Sequence, residues 1–222
     1  MNLLVLNAKS QRTKSEVGFK LSAFAYQGDV TQSAIGSIKK PSPGIGIFMA
    51  KNMSKHLSLR LNVDFASIKA RDFDFGHPGW KNERLLKFRT SLFDLSGNII
   101  YSFKDNYKFY KLGFYLFSGV GVSYINVKSD YTSLRESFYQ TGEQWVIDGL
   151  KADSQKKIPN FLFNIPVGGG LKYQLDSSLS LFGELNYRFL FTDYFDGYHK
   201  VAHPNKDHYY SVTLGFTFAI SR

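Results

Sequence analysis

The chain has 222 residues, a formal charge of +10, a mean hydropathy of -0.23 and no cysteine, which excludes disulfides and thiolate metal sites. Aromatics make up 17% of it, with 21 Phe and 14 Tyr, a heavy load for a chain that is polar on average. It has no run of about 18 apolar residues, which excludes a membrane-spanning helix, so any span must be built from strands.

Near the N-terminus, Leu3 to Leu6 and then Ala8 and Ser10 fit the tail of an export signal cut before Gln11. Residues 1–10 are therefore read as the remnant of that signal, and 11–222 as a single domain. From there the dominant signal is alternation with a period of two. Strands are expected over Glu16–Tyr26, Gly44–Ala50 and Leu57–Phe65. The last of these reads LSLRLNVDF, with Leu57, Leu59, Leu61, Val63 and Phe65 on one face and Ser58, Arg60, Asn62 and Asp64 on the other.

Further strands are expected over Ser91–Phe103, Gly113–Val127 and Phe161–Leu175, whose glycines, like Gly44 and Gly46, fall on the presumed inner face at Gly119, Gly121, Gly168 and Gly170. Leu179–Phe191 sets Leu181, Leu185, Tyr187, Phe189 and Phe191 against Glu184, Asn186 and Arg188. Tyr210–Ile220 sets a greasy face against Ser211, Thr213, Gly215, Thr217 and Ala219. A soluble sheet normally carries charge on its outer face. Here one face is apolar and the other small or polar, the pattern of lipid outside and a tight lumen within.

The connections alternate: Lys51–His56, Lys104–Lys111 and Asp176–Ser178 are short, whereas Gly28–Pro43, Lys69–Lys87, Lys128–Pro159 and Thr192–His208 are long. That alternation belongs to outer-membrane barrels with short periplasmic turns. The expected fold is all-β, an eight-stranded antiparallel transmembrane β-barrel of outer-membrane type with both termini in the periplasm. Its lumen would be closed by a polar network of Arg60, Asn62, Asp64, Glu184, Asn186 and Arg188, whose opposite charges neutralise one another.

Chemistry finds little support in this pattern. Gly119-Val120-Gly121 and Gly168-Gly169-Gly170 lie inside strands and open no helix, the context that phosphate cradling requires. The histidines His56, His77, His199, His203 and His208 fall in presumed turns and loops. His199 and His203, near Asp193 and Asp196, have helical ligand spacing in a segment that reads as loop, so no metal and no cofactor is expected. His208 and Ser211 are the one local pair that could serve a lipid-hydrolysing barrel. Lys and Arg are scattered rather than gathered in a basic helix, which argues against nucleic acid. The short turns carry Lys51, Lys55, Lys104, Lys108 and Lys111 against Asp105 and Asp176, a basic rim suited either to solubility or to docking an acidic periplasmic partner.

Several segments in order carry a family likeness: Tyr26-Gln27-Gly28-Asp29, Leu86–Leu95 (LKFRTSLFDL), Ser118-Gly119-Val120-Gly121-Val122, Ile165–Tyr173 (IPVGGGLKY) and Phe191–Asp196 (FTDYFD). Over nearly its whole length the chain resembles the PorG-type small barrel of the Bacteroidota type IX secretion system. The resemblance implies a non-enzymatic outer-membrane component. It would attach a periplasmic ring, built from a PorK-like lipoprotein and a PorN-like protein, to the membrane. It supplies no catalytic residues. The chain ends Ile220-Ser221-Arg222, so Phe218 would be the aromatic assembly signal. The alternatives are a small barrel that binds or passes a hydrophobic ligand, which the charged lumen disfavours, and a lipid-modifying barrel enzyme.

Overall fold

The computed structural model describes residues 15–28, 38, 40–71, 86–131, 144–192, 195–198 and 207–220. The alternating segments form β1 (Ser15–Gln27), β2 (Ser42–Asn52), β3 (Leu57–Arg71), β4 (Lys87–Ser102), β5 (Leu112–Ser129), β6 (Phe161–Gln174), β7 (Leu179–Leu190) and β8 (His208–Ile220). A helix, α1 (Gln144–Gln155), interrupts the connection between β5 and β6. Each strand pairs antiparallel with the next, and β8 returns to β1 in a continuous register from Ser15↔Ile220 to Gln27↔His208. The result is a closed eight-stranded barrel with no free edge. The connections after β2, β4 and β6 are short and those after β1, β3, β5 and β7 are long, as expected.

Outward positions carry Leu21, Ile45, Ile47, Met49, Leu59, Leu61, Leu185, Leu214 and Phe216, all exposed, in an unbroken belt around the wall. A continuous apolar band of this kind is incompatible with water and fits acyl chains. On β3 it runs from Leu57 to Phe65, which at about 3.3 Å per residue and a tilt of about 40° spans roughly 20 Å of membrane.

Above the belt, toward the long connections, the strands continue but their chemistry inverts. On β3, Ile68 and Ala70 turn inward and are buried while Lys69 and Arg71 face out. On β4, Phe88 and Leu92 are inward and Lys87 and Arg89 outward; on β5, Ile125 is inward and Asn126 and Lys128 outward. Here the wall has left the lipid, so water lies outside and an apolar core inside. That core joins Phe24, Tyr26, Leu162, Leu190 and Tyr209 to Val146 and Leu150 of α1 and to Phe195 and Tyr198 of the β7–β8 connection. Tyr26 sits at its centre with its hydroxyl 2.6 Å from Asp196 and 2.7 Å from Asp207. An apolar plug therefore seals the long-connection end, in addition to the polar network expected in the lumen.

Two local features explain how so many side chains fit. A Cβ at Gly170 would lie 2.6 Å from the Tyr115 ring and 2.7 Å from the Gly183 carbonyl, so glycine there makes room for an aromatic crossing the lumen. The β5–β6 ladder skips Gly119–Val120 opposite Ile165–Pro166 and resumes at Gly121↔Asn164 in the same register, because Pro166 has no N–H to donate.

Candidate functional site

The middle of the barrel is an ionic lattice built by inward positions of six strands. Arg188 of β7 pairs with Asp94 of β4, reaches Asp64 of β3 at 3.3 Å and donates to Asn164 Oδ1 of β6 at 3.2 Å. Asp94 also accepts Ser123 Oγ and Asn164 Nδ2, each at 2.7 Å. Lys20 of β1 donates to Asp64 at 3.0 Å and to Asn62 Oδ1 at 3.1 Å. One layer lower, Arg60 forms a two-pronged pair with Glu184, which also accepts the Tyr115 hydroxyl at 2.7 Å. The Arg60 guanidinium lies between the Phe48 and Phe117 rings, 5.1 and 4.9 Å from their centres. Lys20, Arg60 and Arg188 balance Asp64, Asp94 and Glu184, so formal charge cancels among groups that are all at least nine-tenths buried. An eight-stranded barrel has an interior just wide enough for side chains, and this one is filled.

All six lumen residues expected from the sequence point inward, and five of them, Arg60, Asn62, Asp64, Glu184 and Arg188, are joined by hydrogen bonds. Asn186 is the exception: its Oδ1 makes no hydrogen bond among the described residues. The sequence reading missed Lys20, Asp94, Ser123, Asn164 and Tyr115. Parity was the available signal, since Lys20 lies between inward Gly18 and Ser22, and Asp94 between inward Leu92 and Ser96.

Below the lattice the barrel opens at the short-turn end into a cavity of about 100 Å³. Arg60 and Tyr115 floor it, Phe48, Ile100 and Phe182 wall it, and Asn52, Ser58, Asn106 and Gln174 ring its mouth. Glu16 and Lys172 are paired at 2.5 Å on one side. Lys104 and Lys108 reach the rim from the β4–β5 turn, where Lys104 Nζ stands 5.2 Å from the Tyr110 ring centre. Lys111 stands 5.8 Å from that of Tyr173, and Lys55 is exposed in the β2–β3 turn. Lys51 is a correction. It belongs to β2 rather than to the turn, and its side chain faces outward beside the lipid belt, because β2 continues to Asn52. Of the turn carboxylates, Asp176 is committed to its own backbone. Its Oδ1 accepts the Ser178 and Leu179 amides at 2.6 and 2.8 Å, which holds the carboxyl below its ordinary value. The rim therefore presents more positive than negative charge.

The hydrolytic pair does not assemble. His208 faces outward between Tyr187 and Phe189, whereas Ser211 faces the lumen. His56 donates through Nδ1 to the Ser102 carbonyl at 2.9 Å in a turn. Asp196 is buried in the plug, while His77, Asp193, His199, His203 and residues 1–10 lie outside the described residues.

These features define a transmembrane barrel of outer-membrane type whose lumen is filled, so that what it offers to partners is its two ends and its wall. The chain belongs to the family described as "Domain of unknown function (DUF6089)", whose profile spans residues 1–218. Among solved structures, it is similar to Ail, the attachment invasion locus protein of Yersinia pestis, solved in complex with the heparin analogue sucrose octasulfate. The identity is 7% and the TM-score 0.51, covering 95% of this chain and 100% of that one. It is also similar to a major outer membrane protein of Thermus thermophilus, at 12% identity and a TM-score of 0.50 over 93% of this chain and 99% of that one. At such identities the likeness shows the fold alone. No curated protein matches the sequence.

Proposed function

We propose that this protein is a non-enzymatic outer-membrane component of a type IX secretion machinery. Its short-turn end faces the periplasm, together with both termini, and docks a ring of PorK-like and PorN-like proteins to the membrane. The observation that carries this reading is the combination of a filled lumen with a basic short-turn rim. A filled lumen moves nothing through the wall, and Lys104 and Lys108 line the opening at that end, with Lys55 and Lys111 exposed in the short turns. The likeness of the five ordered segments to the PorG-type barrel supports the partner's identity, and a basic rim suits an acidic docking face.

The test is a gentle-detergent pull-down from native membranes, paired with deletion of the gene. The reading expects ring proteins in the eluate and loss of cargo export on deletion. An eluate without them, together with intact export, refutes it. A hydrophobic-ligand barrel is the second reading, favoured only by the apolar walls Phe48, Ile100 and Phe182 of the lower cavity. At about 100 Å³ that cavity is well below the roughly 300 Å³ at which ligand pockets begin.

A further inference from the structure

The inverted zone above the lipid belt carries a charge arrangement that the docking role does not use. The strand register places Lys69 of β3 beside Arg89 of β4, and Arg89 beside Lys128 of β5. All three are exposed and outward, in one row across three adjacent strands. Arg71 and Lys87 are paired in the next row up. Like charges directly opposite one another in a sheet repel, and little here relieves them. Lys87 has Asp130 at 2.9 Å, and Arg89 Nε donates to Ser67 Oγ at 2.9 Å. No carboxylate pairs with Lys69, Arg71, Arg89 or Lys128 among the described residues.

The rows beneath give the patch its context. Directly below lies the polar row Ser67, Ser91 and Asn126, and below that the aromatic row Phe65, Phe93 and Tyr124 at the top of the lipid belt. Moving up the wall, the surface therefore passes from acyl-compatible to hydroxyl and amide to cationic over four residues of strand, roughly 10 Å along the membrane normal. A membrane lipid has the same order: chains, then glycerol or sugar, then phosphate.

We propose that Lys69, Arg89 and Lys128, with Arg71 beside them, bind the phosphates of a phosphorylated glycolipid of lipid A chemistry in the outer leaflet. The site rests on the orientation given above, with the long connections facing outward. It is separate from the docking rim at the opposite end. Arginine and lysine supply the forked and point-charge donors that phosphate oxygens accept. The aromatic row receives the proximal part of the acyl chains.

The experiment uses the full chain in zwitterionic detergent, with bisphosphorylated lipid A, monophosphorylated lipid A, phosphatidylethanolamine and inorganic phosphate as separate probes. Binding is read by native mass spectrometry and by the thermal shift of the folded band on unheated gels. The wild-type protein should retain bisphosphorylated lipid A most strongly, the monophosphorylated form less, and the other two hardly at all. Lys69→Gln/Arg89→Gln/Lys128→Gln should weaken retention at least tenfold, and Arg89→Gln alone should give an intermediate loss. The control Lys151→Gln/Lys156→Gln/Lys157→Gln removes the same charge near α1 and should bind as the wild type does.

Equal retention by the wild-type, single and triple variants overturns the proposal, as does equal stabilisation by inorganic phosphate or by phosphatidylethanolamine. The docking reading fails separately, by loss of ring proteins from the pull-down, which the row variant should leave unchanged.

Discussion

Replacing Arg60 with Met isolates the lower layer of the ionic lattice. In the native barrel the Glu184 carboxylate, 5% exposed, is held by both prongs of the guanidinium and by the Tyr115 hydroxyl. Without Arg60 it retains one hydrogen bond, from Tyr115, inside a wall of Phe48, Phe117 and Phe182. Stranding one member of a buried pair costs about 3–5 kcal/mol. Some of the methionine volume is returned as packing against the two rings that now sandwich the guanidinium. At about 2–4 °C per kcal/mol for a chain of this size, unfolding should fall by roughly 10 °C, read as the temperature at which the compact band is lost on unheated gels. The double variant Arg60→Met/Glu184→Met removes both charges from an apolar collar and should recover most of that loss, to within about 1 kcal/mol of the native protein. If the single and double variants lose the same stability, the pair is not coupled and the account of the lumen is wrong.

Other positions make narrower predictions. Gly170→Val drives a branched side chain into Tyr115 and should prevent formation of the compact band, whereas Gly97→Leu, where a Cβ meets nothing within 4 Å and the residue faces lipid, should leave assembly unchanged. Leu150→Ala removes a 2% exposed side chain from the plug and should cost about 2–4 kcal/mol, appearing first as faster proteolysis of the β5–β6 connection. Retained protease resistance in that variant would show that α1 does not seal the barrel. Because Asp176 is held below its ordinary value of 3.8, its capping contribution is present above that value and is lost as pH falls below it. Amide exchange at Leu179, corrected for intrinsic rate, should therefore speed up below about pH 4 in the native protein. In Asp176→Ala it should be fast at every pH.

How legible these features were depended on the contrast between the two faces of a strand. LSLRLNVDF was readable because lipid outside and ion pairs inside demand opposite residue types at adjacent positions. The same strand was expected to stop at Phe65, six residues early, because from Ala66 onward the apolar residues turn inward and the charged ones outward. The backbone alternation is unbroken, but its chemical sign reverses where the wall leaves the membrane. β4 likewise begins at Lys87 rather than at the expected Ser91, because Lys87 and Arg89 are the outward residues where its alternation begins. Lys51, expected at the start of the short connection Lys51–His56, lies on the outer face of β2, a place that suits a side chain that can reach the interface. Lys20 and Asp94 are harder to read because β1 and β4 carry aromatics and small residues on both faces, so the parity that places them inward is a weak signal locally, and the closed register makes it plain. The α1 side chains that complete the plug, Val146 and Leu150, are two apolar residues one turn apart within a long connection, too sparse a pattern to declare a helix.

The central claim, that a filled barrel docks a periplasmic ring through its short-turn rim, is tested most directly by photo-cross-linking in living cells. A photoreactive residue is placed at Lys104 or Lys108, beside the lower cavity, and at Lys157 near the opposite end as the comparison. The account predicts adducts with the ring proteins from Lys104 and Lys108 and none from Lys157. Adducts from Lys157 alone, or no adduct with a ring protein from either rim position, would contradict it.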